Sequence, residues 1–235
     1  MKPSIWRLKF APIGPSIAVQ LGVSNLKSLA RFLSLLILLP TLAFAQEKPV
    51  QVFDTSYPPS TIISARIQRQ FLDSVRWSVG VEVRNSLAAA FAERPALEIW
   101  QDLVAKDGLR TGNVADALTA YWVLNWVTAN ARYNSKIDNE PVRAQIAAAM
   151  ANDASFRTLD NLQRQEMAEG YILKFLVEHA ALNRAMASKD VAALGRLALA
   201  SATRFRQEMG VDLLTLEPGS EGFMPRARPV APAAD

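Results

Sequence analysis

From Val114 to Ala129 the chain offers only Asp116, Thr119, Asn125 and Thr128 as clearly polar side chains. At the helical period of 3.6 residues no face of that segment is polar enough to meet water. A helix apolar on nearly every side is buried on nearly every side. This sets one helix at the centre of the fold and requires others to wrap it. Ile63, Ile67, Phe71, Val75 and Val79 recur every four residues, with Arg66, Arg69, Asp73 and Arg76 between them, the pattern of an amphipathic helix. A shorter helix is expected from Leu87 to Ala92. Pro95 opens another with Leu97, Trp100, Leu103 and Val104 on one face, ended by Asp107-Gly108. Pro141 opens a helix through Ala151. Asp160, with Gln163 three residues on, caps the longest helix, which runs to about Ser188. Val191 to Met209 is alanine-rich and stops at Gly210. No run of β-period alternation is convincing, so the expected class is all-α: a single-domain bundle of about six helices with a buried central helix.

The N-terminal segment sets the expected compartment. Lys27 and Arg31 precede the short apolar run Phe32 to Leu39, followed by Pro40 and the small-x-small tripeptide Ala43-Phe44-Ala45. That order is a secretory signal peptide, and the run is too short to span a bilayer. Residues 1–45 are therefore expected to be removed, with a start near Leu21 or Val23 explaining the prolines and aromatics ahead of the signal. Gln46 to Pro59 reads as an extended lead-in, residues 60–223 as the helical domain and 224–235 as a mobile Pro/Ala-rich tail. The expected location is periplasmic or secreted, with no integral span after cleavage.

Composition narrows the chemistry. The chain has 26 cations and 22 acids. Five cations and no acid leave with the signal, so 21 face 22 and the remaining balance is −1. The basic character belongs to the leader, and no case for nucleic acid follows from charge. With no cysteine, disulfides, thiolate metal sites, lipid acylation and cysteine catalysis are all excluded. The single histidine, His179, makes no metal site alone, and its flanking residues read as packing. No phosphate loop or nucleophile elbow occurs among the scattered glycines. No cofactor and no metal are expected.

Several constellations remain. Asn113, with Asp116 three residues later, has the spacing of a helix cap. Asn125 lies between Trp122 and Trp126, where burial without a partner costs about 1–3 kcal/mol. Tyr121, Trp122, Asn125 and Trp126 are accordingly candidates for lining a ligand groove. Gln165 and Glu169 share a helix face, and Arg143 is the partner expected to complete a polar clamp between helices.

The stretch Asn113 to Ala117 with Tyr121-Trp122 and Asn125-Trp126 is joined by three further pieces. These are Pro141 to Gln145, Gln165 to Glu169, and Gly210 to Leu214 with Gly222-Phe223. Together they resemble an uncharacterised family of exported proteobacterial proteins with a domain of unknown function, over roughly Tyr57 to Phe223. The resemblance implies a helical extracytoplasmic domain and transfers no activity. The expected role is a non-enzymatic binding module recognising an envelope protein or peptide. The alternative is an envelope hydrolase with Glu166 or Glu169 as general acid.

Overall fold

The computed structural model describes residues 53–226. The expected signal segment, the expected lead-in up to residue 52 and the expected tail from 227 lie outside them. Eight α-helices are present among the described residues: α1 Thr61–Ser78, α2 Val81–Glu93, α3 Ala96–Val104, α4 Val114–Ala129, α5 Asn139–Asn152, α6 Ala154–Arg157, α7 Asn161–Ala187 and α8 Val191–Met209. A two-stranded antiparallel hairpin follows, β1 Leu216–Gly219 and β2 Gly222–Pro225, with Leu216 opposite Pro225. The fold is all-α apart from this small sheet.

The central helix is α4. Its residues from Val114 to Trp122 are all buried, as are Leu124, Asn125, Trp126 and Thr128. It packs against α7, α8 and α5. Phe205 of α8 lies against Tyr121 and Trp122, with ring centroids 5.6 and 5.7 Å apart. On the other side Phe223 of β2 stacks on Trp122 and tilts against Trp126, both at 5.8 Å. Burial of such aromatic rings supplies the largest apolar area per residue in any core.

Three corrections to the sequence reading concern boundaries. The helix expected at Leu87–Ala92 begins instead at Val81, because Gly80 adopts φ +133 and lets the chain turn without interrupting helical residues for long. The helix expected to open at Pro141 begins at Asn139, where Asp138 accepts the Glu140 N–H and Pro141 sits in the first turn. The end of the segment expected as helical domain, residues 216–223, is instead part of a β-hairpin that runs on to Pro225. Its strands are four residues each, too short for alternation to register. The capping box of Asp160 and Gln163 forms as the spacing predicts.

Non-helical segments need partners for their backbone groups. Three glutamines provide them. Gln101 of α3 donates to the Leu109 carbonyl at 3.0 Å and accepts from the Thr111 N–H at 2.8 Å. Gln165 of α7 accepts from the Ser60 N–H at 3.2 Å and donates to the Ser60 carbonyl at 2.9 Å. Gln145 of α5 does the same for Phe223, at 2.9 Å each way. A side-chain amide has the donor and acceptor of a peptide group, so each glutamine behaves as one rung of a ladder. The lead-in is also held by backbone: Tyr57 N–H to Gly112 at 2.9 Å and Val114 N–H to Thr55 at 3.0 Å.

Candidate functional site

The cap at the start of α4 is a junction. Asn113 Oδ1 accepts from the Asp116 N–H at 3.2 Å and from the Thr55 hydroxyl at 2.8 Å. The Asp116 carboxylate turns to the Arg110 N–H at 2.9 Å rather than back to Asn113. Burial raises its pKa, opposed by that hydrogen bond and by Arg143.

Arg143 is not part of the expected clamp. Its guanidinium bonds Glu140 at 2.8 Å and stands 3.8 Å from Asp116, because α5 packs beside α4. Gln165 and Glu169 instead face α1. Ser64 donates to Glu169 at 2.8 Å, and Gln165 Nε2 lies 2.8 Å from the same carboxylate and 3.0 Å from Ser64 Oγ. Burial raises the Glu169 pKa against both hydrogen bonds. Glu166, one position along, is exposed and bonds Arg66 at 2.6 Å.

The expected groove on α4 is also corrected. Tyr121, Trp122, Asn125 and Trp126 are all buried and line no opening. The Trp126 indole donates to the Leu216 carbonyl at 2.9 Å, sealed by the hairpin. The partner that Asn125 requires is Glu178 of α7: Asn125 Nδ2 donates to its carboxylate at 2.8 Å and to the Tyr121 carbonyl at 2.9 Å. Arg204 of α8 completes the group, pairing with Glu178 and donating to Tyr121 Oη at 3.1 Å and to Asn125 Oδ1 at 3.3 Å. Burial raises the Glu178 pKa, with Arg204 as the chief opposing influence. Burial alone would lower that of Arg204, but Glu178 and Tyr121 outweigh it and hold the guanidinium charged. Neither Glu178 nor Arg204 stands out in the sequence. The one available signal was Asn125 itself, a polar residue in an apolar helix that had to meet something.

The opposite face of α4 borders an open cleft of about 250 Å³ between α3, α4 and α7. Leu103, Val104 and Leu109 form one wall, and Ala120, Val123, Leu124 and Val127 another. Phe175 and His179 close it from α7, while Asp107 and Ser135 bring polar groups from connecting segments and Asn139 from the start of α5. The His179 ring stacks on Phe175, centroids 5.4 Å apart, and its nitrogens lie 3.2–3.3 Å from the Asn183 amide. Burial lowers its pKa to about 4, so the imidazole is neutral near pH 7. Burial raises the Asp107 pKa, and Lys136 opposes the shift. The cleft therefore combines apolar walls with a neutral imidazole, a carboxyl, a hydroxyl and an amide. That is the composition of a site that buries an apolar group and orients it by a few polar contacts. Among the described residues no cluster of three or more histidine and acidic side chains is arranged to hold a metal ion.

The model of a family of unknown function, DUF6683, matches residues 43–212, most of the chain. The chain belongs to DUF6683. The DUF6683 match takes in α1 to α8 and stops ahead of the hairpin that covers Trp122 and Trp126. It assigns no residue a role. Comparison with curated proteins and with solved structures gives no match.

Proposed function

We propose that this DUF6683 protein is an exported, non-enzymatic binding module of the cell envelope. Its cleft receives the apolar part of an envelope peptide or protein segment. The observation that carries this reading is the cleft: about 250 Å³ lined by apolar side chains of α3, α4 and α7 together with the polar groups of His179, Asp107, Ser135 and Asn139. Export is supported by the charge, apolar run and Ala43-Phe44-Ala45 order of the leader. The hydrolase reading needs Glu166 or Glu169 beside a second carboxylate in an open cleft. Glu166 is engaged by Arg66, Glu169 is enclosed between α1 and α7, and neither lines the cleft, so binding is the better-supported class.

Two measurements test it. A photo-crosslinking residue at Ser135, on the cleft, should capture a peptide or protein in intact cells, and Val127→Phe, which fills the cleft, should abolish the adduct without lowering the melting temperature. An adduct that survives Val127→Phe would overturn the cleft assignment. N-terminal sequencing of the recovered protein should begin at Gln46, and an intact leader on cytosolic material would overturn export.

A further inference from the structure

One end of the bundle carries exposed apolar side chains set among cations. The hydrogen bonds from Ser60 and Ser64 to Gln165 and Glu169 start α1 and α7 side by side and pointing the same way. The C-terminal ends of both helices, and the turns that leave them, therefore lie toward one end of the molecule. At the first turn Trp77 is 84% exposed and Val81 53%. At the second, Val191 is 79% exposed, and Leu199, about two turns further along α8, is 69% exposed. Over Val191 to Ala200 of α8, Leu194 and Leu197 are half-buried against the core, while Val191 and Leu199 are left to solvent, and every fully buried residue of the helix lies from Ser201 onward. Monomeric proteins seldom leave such a surface unpartnered.

The charges around it choose the partner. Arg76, Arg84, Arg184, Lys189 and Arg196 occupy these two segments, and among the described residues none forms an ion pair with a carboxylate. The acids there are Asp73, Glu82 and Asp190, and Asp190 is occupied in capping α8. Arg76 lies 5.5 Å from the Trp77 ring, pairing a cation with the aromatic most open to solvent. An indole and aliphatic side chains within a net positive fringe match an anionic lipid surface: the apolar groups enter the headgroup boundary, where tryptophan is favoured, and the cations meet phosphates. No described helix is long and apolar enough to cross a membrane, so this contact is peripheral.

We propose that the end of the bundle formed by the α1–α2 and α7–α8 turns docks the protein on an anionic lipid bilayer. This surface is separate from the cleft, and either reading can fail alone. The test is flotation of the protein recovered from producing cells with vesicles of phosphatidylcholine alone or mixed with phosphatidylglycerol. All variants share one N-terminus, so any leader contributes equally to each. The native chain should float with the mixed vesicles and stay behind with the neutral ones. Trp77→Ser with Val191→Ser should lower the bound fraction several-fold, and Arg76→Glu with Arg184→Glu should lower the partition coefficient by more than about tenfold. Melting temperatures should match the native protein, since all four side chains are exposed. Equal flotation with both vesicle types, or variants that float like the native chain, would overturn the proposal. So would a concentration-dependent dimer abolished by the same substitutions, with no vesicle binding, which would assign the surface to a second copy.

Discussion

Gln145 holds Phe223 by both of its backbone groups, its amide oxygen accepting from the N–H and its amide nitrogen donating to the carbonyl, each at 2.9 Å. This single side chain fastens β2 to α5 and presses the Phe223 ring onto Trp122. The preceding residue, Gly222, has φ +97, and a Cβ there would fall within the Gln145 side chain. Gly222→Ala should therefore cost about 2 kcal/mol, from the unfavourable backbone and from weakening these two bonds. Urea denaturation measures the loss, and a red-shifted tryptophan emission should show the hairpin lifting from the core.

Glu178 and Arg204 form an ion pair inside the bundle, and each also bonds the α4 pair Tyr121 and Asn125. Removing one charge leaves the other buried and unpaired. Arg204→Met and Glu178→Gln should each lower unfolding free energy by about 3–5 kcal/mol. Glu178→Gln combined with Arg204→Met should lose less than the sum of the two, a difference that equilibrium denaturation of the four proteins of the cycle resolves.

His179 gives a pH dependence of known sign. Its folded pKa of about 4 lies below the unfolded value of 6.5. Between these limits the unfolded chain takes up a proton that the folded one refuses, so stability falls as pH drops from 6.5 to 4. The loss attributable to this group is at most about 3 kcal/mol. His179→Phe should flatten this part of the stability profile, with the difference between the two proteins isolating the histidine from the carboxyl groups.

Gln165 serves Ser60, Ser64 and Glu169 at once. Gln165→Leu keeps the volume approximately and strips these partners, and should destabilise by about 2–3 kcal/mol. Proteolysis between residues 53 and 60 should accelerate in the same variant, since the Ser60 backbone loses its tether.

What the sequence disclosed was mostly local. The absence of any polar face on Val114–Ala129 located the central helix, and Asn113 and Asp160 announced helix starts through spacing alone. Gln165 and Glu169 were recognisable as a polar pair within an otherwise buried helix, but their partners Ser60 and Ser64 lie about a hundred residues earlier, and a nearer arginine was the more obvious candidate. Glu178 adjoins His179 in sequence, and its carboxylate meets Asn125 and Arg204 inside the bundle rather than water. Its charge is balanced by Arg204 on another helix, a pairing that only packing creates. The cleft was illegible for the same reason, since Leu103, Val123, Phe175 and His179 come from three helices whose order in space no periodicity reveals.

The hairpin has a consequence in time. Trp126 is synthesised 90 residues ahead of Leu216, the residue whose carbonyl receives its indole N–H. Throughout that interval the middle of the protein has no cover on this side, so native closure must await synthesis of the hairpin. A chain that has to be threaded through a translocase before it folds would gain from being unable to finish early.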